Sequence, residues 1–116
     1  MTAAKHNLTI DQGATFRITL TYKIDSTPVN LTGYAARMQV RERYDSETTA
    51  VSLTSAPGGG LTLGGSAGTI AIEITDVQSA AMPAGRLVYD LELVAPNGDV
   101  TRLVEGTMTV TPEVTR

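Results

Sequence analysis

Apolar and polar residues alternate one by one along most of this chain. In residues 14–24, every second position is apolar, and threonines or basic residues fill the positions between them. Successive side chains of a β-strand point to opposite faces, so this pattern predicts a strand with one buried and one solvent-facing side. Similar alternation predicts further strands over 7–11, 34–43, 51–53, 69–75, 86–94 and 100–111, and residues 29–33 are expected to form a short extended segment.

Turn-forming residues separate these segments, and one segment has a helical pattern. Residues 76–82 are expected to form a single helical turn that Asp76 caps and that Pro83 and Gly85 end. Seven to nine short strands with one such turn are typical of an all-β, immunoglobulin-like antiparallel β-sandwich. A small closed barrel is the alternative architecture.

The last two strands are predicted to form a hairpin with a fixed register. Asn97-Gly98 is the signal of a two-residue type I′ turn. Such a turn places Leu87 opposite Met108, Leu91 opposite Val104, and Tyr89 opposite Gly106, where a missing side chain makes room for the ring.

On the outer side of this hairpin, the same register places Asp90 opposite Glu105. Like charges directly opposite each other are unfavourable, so positive charge is expected nearby. Arg37 and Arg41 are the candidates, provided that the strand over 34–43 lies beside the strand over 86–94.

Composition adds limits to this interpretation. The chain has 116 residues, 41% of them hydrophobic, with no cysteine and a net charge of −3. It is expected to form one domain over 1–116, with an N-terminal arm at 1–6 and a C-terminal tail at 112–116. The acidic balance argues against general nucleic-acid binding, and no apolar run approaches the roughly 20 residues of a membrane span.

The residues offer little for catalysis, so no enzyme activity, cofactor or metal is predicted. The single histidine, His6, lies in the predicted arm, where a catalytic triad is not expected. Asp90, Glu92 and Glu105 are interpreted as a salt-bridged surface, because they fall on an outward strand face. The glycine clusters at 58–60 and 64–65 lack the lysine and helix of a phosphate loop.

Protein–protein contact is the function that these residues favour. Val88, Val94 and Leu103 are apolar at outward positions of the last hairpin, with Arg37 and Arg41 beside them. We expect partner contacts there and at the two termini, and exposed edge strands also invite strand addition. Sugar binding is an alternative, for which Tyr44 is the one tyrosine expected to be exposed.

Strings of residues spread over nearly the whole chain carry a further signal: 9–16, 29–41, Gly85 with 89–93, 97–103, 105–106 and 112–116. Taken together, these strings resemble a family of small structural proteins of tailed bacteriophages and prophages. The order Leu-Thr-Gly-Tyr followed by Met-x-Val-Arg is also similar to the immunoglobulin-like N-terminal domain of phage baseplate upper proteins.

This resemblance implies a virion protein made in the host cytoplasm. Its role would be a tail-tip or baseplate adaptor that connects the tail to a fibre or receptor-binding protein. Its partners would be other phage structural proteins and further copies of the chain, arranged with three- or six-fold symmetry. Neither nucleic acid nor a membrane is expected as a partner. A capsid decoration protein and a small carbohydrate-binding module that contacts the host remain alternatives.

Overall fold

Residues 3–115 are described by a computed structural model, and β-strands make up most of them. Eight strands have three or more residues, and three have only two. One α-helical turn and one 3₁₀ turn complete the elements. Their bounds are β1 Ala4–Lys5, β2 Leu8–Asp11, β3 Phe16–Thr21, β4 Lys23–Ile24, β5 Thr27–Pro28, β6 Ala35–Arg41, β7 Val51–Thr54, β8 Leu61–Leu63, η1 Gly65–Ala67, β9 Thr69–Ile74, α1 Asp76–Ala80, β10 Gly85–Val94 and β11 Val100–Thr111.

The strands form two main sheets. The larger has the order β1-β11-β10-β6-β7, with β2 also on β11, and the smaller has the order β3-β9-β8. In an immunoglobulin-like sandwich, β3, β8 and β9 occupy the places of strands B, D and E, and β6, β7, β10 and β11 those of C, C′, F and G. A single bridge, Thr54–Gly60, links the sheets in the described chain, so the sandwich prediction is confirmed over the closed barrel.

One hydrophobic cluster lies between the sheets. The smaller sheet contributes Ile70, Ile72 and Ile74 from its central strand, each exposed by 1% or less. The larger sheet contributes alternate residues of β6 and β10, such as Met38 and Leu91. These are the inward positions that the alternation predicted, because a central strand has neighbours on both sides and a sheet above it.

The helical turn forms where it was predicted, but a different residue caps it. Thr75, not Asp76, is the N-cap: its Oγ1 accepts a 3.1 Å hydrogen bond from the Gln78 N–H. The Gln78 Oε1 accepts one from the Thr75 N–H at 2.9 Å. This Thr-x-x-Gln capping box satisfies two backbone donors at once.

The last hairpin has the predicted pairing over most of its length, but not the predicted turn. Asp99 O accepts from the Ala95 N–H at 2.8 Å, which leaves a three-residue loop, 96–98. Gly98 has a positive φ, as a three-residue loop with a bulge requires, whereas Asn97 does not. The type I′ prediction is therefore wrong.

A bulge restores the register further along the hairpin. The pairing shifts by one residue between Leu91 and Glu92, so that Glu92 lies opposite Arg102 while Leu91 lies opposite Val104. Leu103 is the extra residue of the bulge. The longer loop and the bulge cancel, and for this reason the predicted pairs Leu87–Met108, Tyr89–Gly106 and Asp90–Glu105 are all confirmed.

The predicted N-terminal arm lies on the sheet over its described residues. Ala4 and Lys5 form β1, which pairs in parallel with β11, and the His6 N–H donates to Glu105 O at 3.0 Å. The space at Gly106 serves this segment and not the tyrosine ring, since a Cβ there would lie 2.5 Å from His6 O. Met1 and Thr2 of the arm, and Arg116 of the predicted tail, lie outside the described residues.

Candidate protein interface

The outward side chains of β6, β10 and β11 form a surface that we call the charged face. Neighbouring strands place these residues in rows across the sheet, because their Cα atoms are paired in register. The confirmed pairing of β6 with β10 is what brings the predicted arginines and carboxylates together. The charged face consists of Arg37, Gln39, Arg41, Val88, Asp90, Glu92, Val94, Arg102 and Glu105.

One row of the charged face alternates in sign across three strands. Glu92 lies between Arg37 of β6 and Arg102 of β11. Arg37 Nε donates to Glu92 Oε1 at 2.8 Å, and the Glu92 side chain is 24% exposed. A partly shielded pair of this kind is fixed more firmly than a fully solvated one.

The next row contains the predicted acidic pair, Asp90 opposite Glu105. The cation between them is Arg102, whose Nε lies 3.4 Å from Asp90 Oδ2 and whose Nη1 lies 3.7 Å from Glu105 Oε2. Positive charge near the pair was expected correctly. Arg41 also attracts Asp90, but Arg102, and not Arg37 or Arg41, makes the ion pairs with Asp90 and Glu105. Arg37 pairs with Glu92, and Arg41 donates to Ser46 O and to Gln39 Oε1, at 2.8 and 2.9 Å.

The bulge explains why Arg102 was missed. A continuous two-residue-loop register would turn Arg102 toward the core, opposite Leu93, and Leu103 outward. The bulge reverses both, since a one-residue slip moves a side chain to the other face of a strand. The sequence does contain a signal of this: Leu103 and Val104 are adjacent apolar residues within an otherwise alternating strand.

The environment of Asp90 favours its neutral form. Partial burial raises the pKa of its carboxyl, and Glu92 and Glu105 raise it further. Arg102 and Arg41 act in the opposite direction without reversing the shift. Burial is the largest cause of this shift, so Asp90 is a carboxyl of the charged face whose loss of solvent Arg102 and Arg41 do not fully compensate.

The apolar residues predicted at this surface have three different surroundings. Val94 lies between Ala35 and Val100, and Val100 is 51% exposed, so these residues form a small apolar patch at one end of the charged face. Val88 lies between Arg41 and Thr107 and is half-buried. Leu103 packs against the core, so it is not the free outward side chain that alternation predicted.

An exposed tyrosine stands at the edge of the charged face. Tyr44 is 81% exposed, as the sequence predicted. It borders a shallow pocket of about 120 Å³, into which Arg41 and Asp90 also project. The remaining lining residues are Gln39, Val88, Tyr89 and Glu105.

A second, wider groove lies along the smaller sheet. It encloses about 690 Å³ and is bordered by the loop at 55–58 and by outward residues of β3 and β9. Its two charged residues neutralise each other, since Arg17 Nε lies 2.7 Å from Glu73 Oε2. This groove therefore holds one isolated ion pair, whereas the ion pairs of the charged face extend across three strands.

Two predictions about chemistry concern His6 and metal binding. His6 is exposed in the connection between β1 and β2. Within residues 3–115, no three His, Asp or Glu side chains are grouped so as to hold a metal ion. In the same range, no helix is long and apolar enough to cross a membrane.

Comparison with known proteins adds no relative: no family model matches the chain, and neither does any curated protein. The candidate site therefore depends on the geometry of the charged face. That face was found in part from sequence through Arg37, Arg41, Val88 and Val94. Arg102 and Val100 were missed, the former because of the bulge.

Proposed function

We propose that this chain is a structural protein of a tailed-phage or prophage virion that acts through protein–protein contacts, as an adaptor at the tail tip or baseplate. The observation that carries the proposal is the charged face. It combines ordered, alternating charge with an apolar patch at Ala35, Val94 and Val100. Apolar residues beside fixed charges are typical of an interface, in which burial gives affinity and charge sets orientation.

The resemblance of the sequence to phage structural proteins supplies the virion context. A particle that repeats each chain by symmetry needs only a modest contact from each copy, because the copies act together. The charged face is three strands wide, and a surface of this width suits a modest contact made by each copy.

The test uses intact particles that carry this chain. Cryo-electron microscopy is expected to place a sandwich of this size at the tail tip, with the charged face against a fibre or hub protein. Density on the capsid lattice would make the chain a decoration protein instead. Absence from purified particles, checked by mass spectrometry, would contradict the whole proposal.

Two matched variants connect the face to assembly. Val94→Glu adds a carboxylate to the apolar patch and is expected to reduce incorporation at least about tenfold, since it desolvates a charge at the contact. Val77→Glu makes the same change on α1, where Val77 is 75% exposed, and should leave incorporation unchanged. Equal incorporation of the two variants would show that the charged face is not the contact surface.

Sugar binding is the second candidate, favoured by Tyr44 and the pocket beside it. An exposed aromatic ring next to Arg41, Gln39 and Asp90 offers a stacking surface together with hydrogen-bonding groups. Glycan-array binding that is lost in Tyr44→Ala, but kept in Tyr44→Phe, would support this function. No binding at millimolar sugar would count against it.

A further inference from the structure

We infer that strand β3 is an interface through which two copies of this chain pair edge to edge. Along its far side, no strand of residues 3–115 pairs with β3. The Tyr22 N–H donates to Gly68 O at 2.8 Å. Every second residue of β3, counted back from Tyr22, therefore directs its backbone groups toward β9. Arg17, Thr19 and Thr21 therefore direct their N–H and C=O groups to the open edge.

Apart from two cations, Arg17 and Lys23, this edge lacks the features by which proteins protect edge strands. Strand β3 has six residues and continues into β4, without proline, glycine or an acidic side chain. The other edges are shorter: β7 has four residues and β8 has three. The edge formed by β1 and β2 is interrupted at residues 6–7. A long edge rich in β-branched residues, with only two cations and no proline, is a template for pairing with another strand.

The core beneath β3 is also incompletely covered. Phe16, Ile18, Leu20 and Tyr22 point inward but are only partly buried. The inward residues of the adjacent β9 are exposed by 1% or less. In an immunoglobulin-like sandwich, strand A covers this edge, but here the N-terminal segment pairs with β11. A further strand beside β3 would complete the burial of these four side chains.

The sequence of β3 is self-complementary in one antiparallel register. With Thr19 opposite Thr19 of the second copy, Phe16 lies opposite Tyr22 and Ile18 opposite Leu20. Both are apolar cross-strand pairs on the core side, which stabilise a sheet. This inward match identifies a second copy of the chain as the occupant.

On the outward side, the same register keeps the cations apart. Arg17 lies opposite Thr21, and Lys23 lies opposite Thr15. Moving the register by two residues toward the chain's C-terminal side would put Arg17 opposite Lys23, a like-charge pair that is destabilising. Two-fold symmetry makes each pair occur twice, so both the gains and the penalty are doubled.

The test measures the mass of the full chain by sedimentation velocity from about 1 to about 200 µM. The wild type is expected to pass from monomer to dimer. Thr19→Pro removes an N–H that points to the open edge and keeps the hydrogen bonds between β3 and β9. Edge strands tolerate proline at such a position. It should raise the dissociation constant at least about tenfold, since two hydrogen bonds are lost per dimer.

The matched control is Ser52→Pro on β7. The Ser55 N–H donates to Ala36 O, and successive residues of a strand point their N–H groups to opposite edges. The Ser52 N–H, three residues away, therefore points away from β6 to an open edge. The Ser52→Pro variant should dimerise as the wild type does. Thr19→Arg tests the same edge by adding a charged side chain, in case the proline variant does not fold. Its control is Thr62→Arg, the same change on β8. Two guanidinium groups at the axis should prevent pairing.

A wild type that stays monomeric across this range would overturn the inference. So would a dimer that Ser52→Pro disrupts and Thr19→Pro does not. A monomer that uses Thr19 to bind a different virion protein would assign the edge to that protein and not to a second copy. The inference is independent of the proposed adaptor function, because it needs only the purified chain.

Discussion

Arg102 lies opposite Glu92 in the last hairpin, not opposite Leu93, and this one-residue difference assembles the charged face. It brings one guanidinium within 4 Å of both Asp90 and Glu105, two carboxylates that are themselves directly opposed. The bulge at Leu103 thus has an electrostatic effect, because it turns Arg102 toward the two opposed carboxylates.

Removing that cation should destabilise the fold measurably. Arg102→Gln leaves Asp90 and Glu105 facing each other, and we expect the free energy of unfolding to fall by about 0.5–1 kcal/mol. Urea denaturation at low salt measures this. The control is Arg43→Gln, because Arg43 contacts Asp45 at 3.4 Å with both side chains about 80% exposed; its effect should be near zero. Equal losses would show that Arg102 has no special role.

Asp90 should make stability depend on pH in an unusual direction. Because its pKa is raised in the folded state, the folded chain binds the proton more tightly than the unfolded chain. The resulting stabilisation is fully present below the ordinary pKa of 3.8 and is lost as pH rises through the folded pKa. Asp90→Asn should remove this loss.

We therefore expect Asp90→Asn to stabilise the chain at neutral pH relative to the wild type, by about 0.5 kcal/mol or less. The effect is small because the side chain is 39% exposed and solvent screens its charge. The advantage should disappear near pH 3, as measured by denaturation at both values. A variant that is less stable than the wild type only at neutral pH would contradict the cause assigned here.

Leu103 should respond to substitution as a core residue does. Leu103→Asp is expected to cost about 2 kcal/mol, because the carboxylate would replace an apolar side chain that packs against the core. Leu103→Met conserves volume and should cost less than about 1.5 kcal/mol. Thermal unfolding distinguishes the two. A harmless Leu103→Asp would place this side chain at the surface, where alternation first predicted it.

One buried hydroxyl adds to the backbone pairing that attaches the N-terminal segment to β11. Tyr89 Oη donates to His6 O at 2.5 Å, and burial raises the pKa of Tyr89 to about 12. Tyr89→Phe should cost about 1 kcal/mol and increase hydrogen exchange at His6. Tyr44→Phe, at an 81% exposed position, is the control and should change neither.

Gly106→Ala tests the same attachment from the opposite strand. A Cβ at this position would lie 2.5 Å from His6 O and 2.9 Å from Asn7 Oδ1. The segment must therefore move away, and exchange should rise at residues 4–7 more than elsewhere. Unchanged exchange there would mean that the segment does not lie against Gly106.

Much of the fold followed from simple alternation. The inward residues of β9 and β10 could be identified because each strand has a neighbour on both sides, so burial and period coincide. The pairing of β6 with β10 was the condition under which Arg37 and Arg41 would lie near Asp90 and Glu105, and the structure meets that condition. Here a local pattern and a long-range contact depended on the same residues.

The errors have a common physical origin in single residues that alternation does not describe. Asn97-Gly98 suits two loop lengths, and the choice depended on the bulge at Leu103, five residues beyond the loop. His6 lies in the predicted arm, outside the predicted strands, yet it is bound through the hydroxyl of Tyr89 and the space at Gly106. Neither contact is local in sequence, so neither can be inferred from neighbouring positions.

The parallel pairing of β1 and β2 with β11 also determines how the domain carries mechanical load. Ala4 lies beside Val104, and Asp11 lies beside Thr111, so the N-terminal segment runs parallel to β11 over 104–111. A pull on both ends slides these strands along each other and loads their hydrogen bonds together. Antiparallel terminal strands would peel apart one bond at a time. The sandwich is thus arranged to resist tension along its strands.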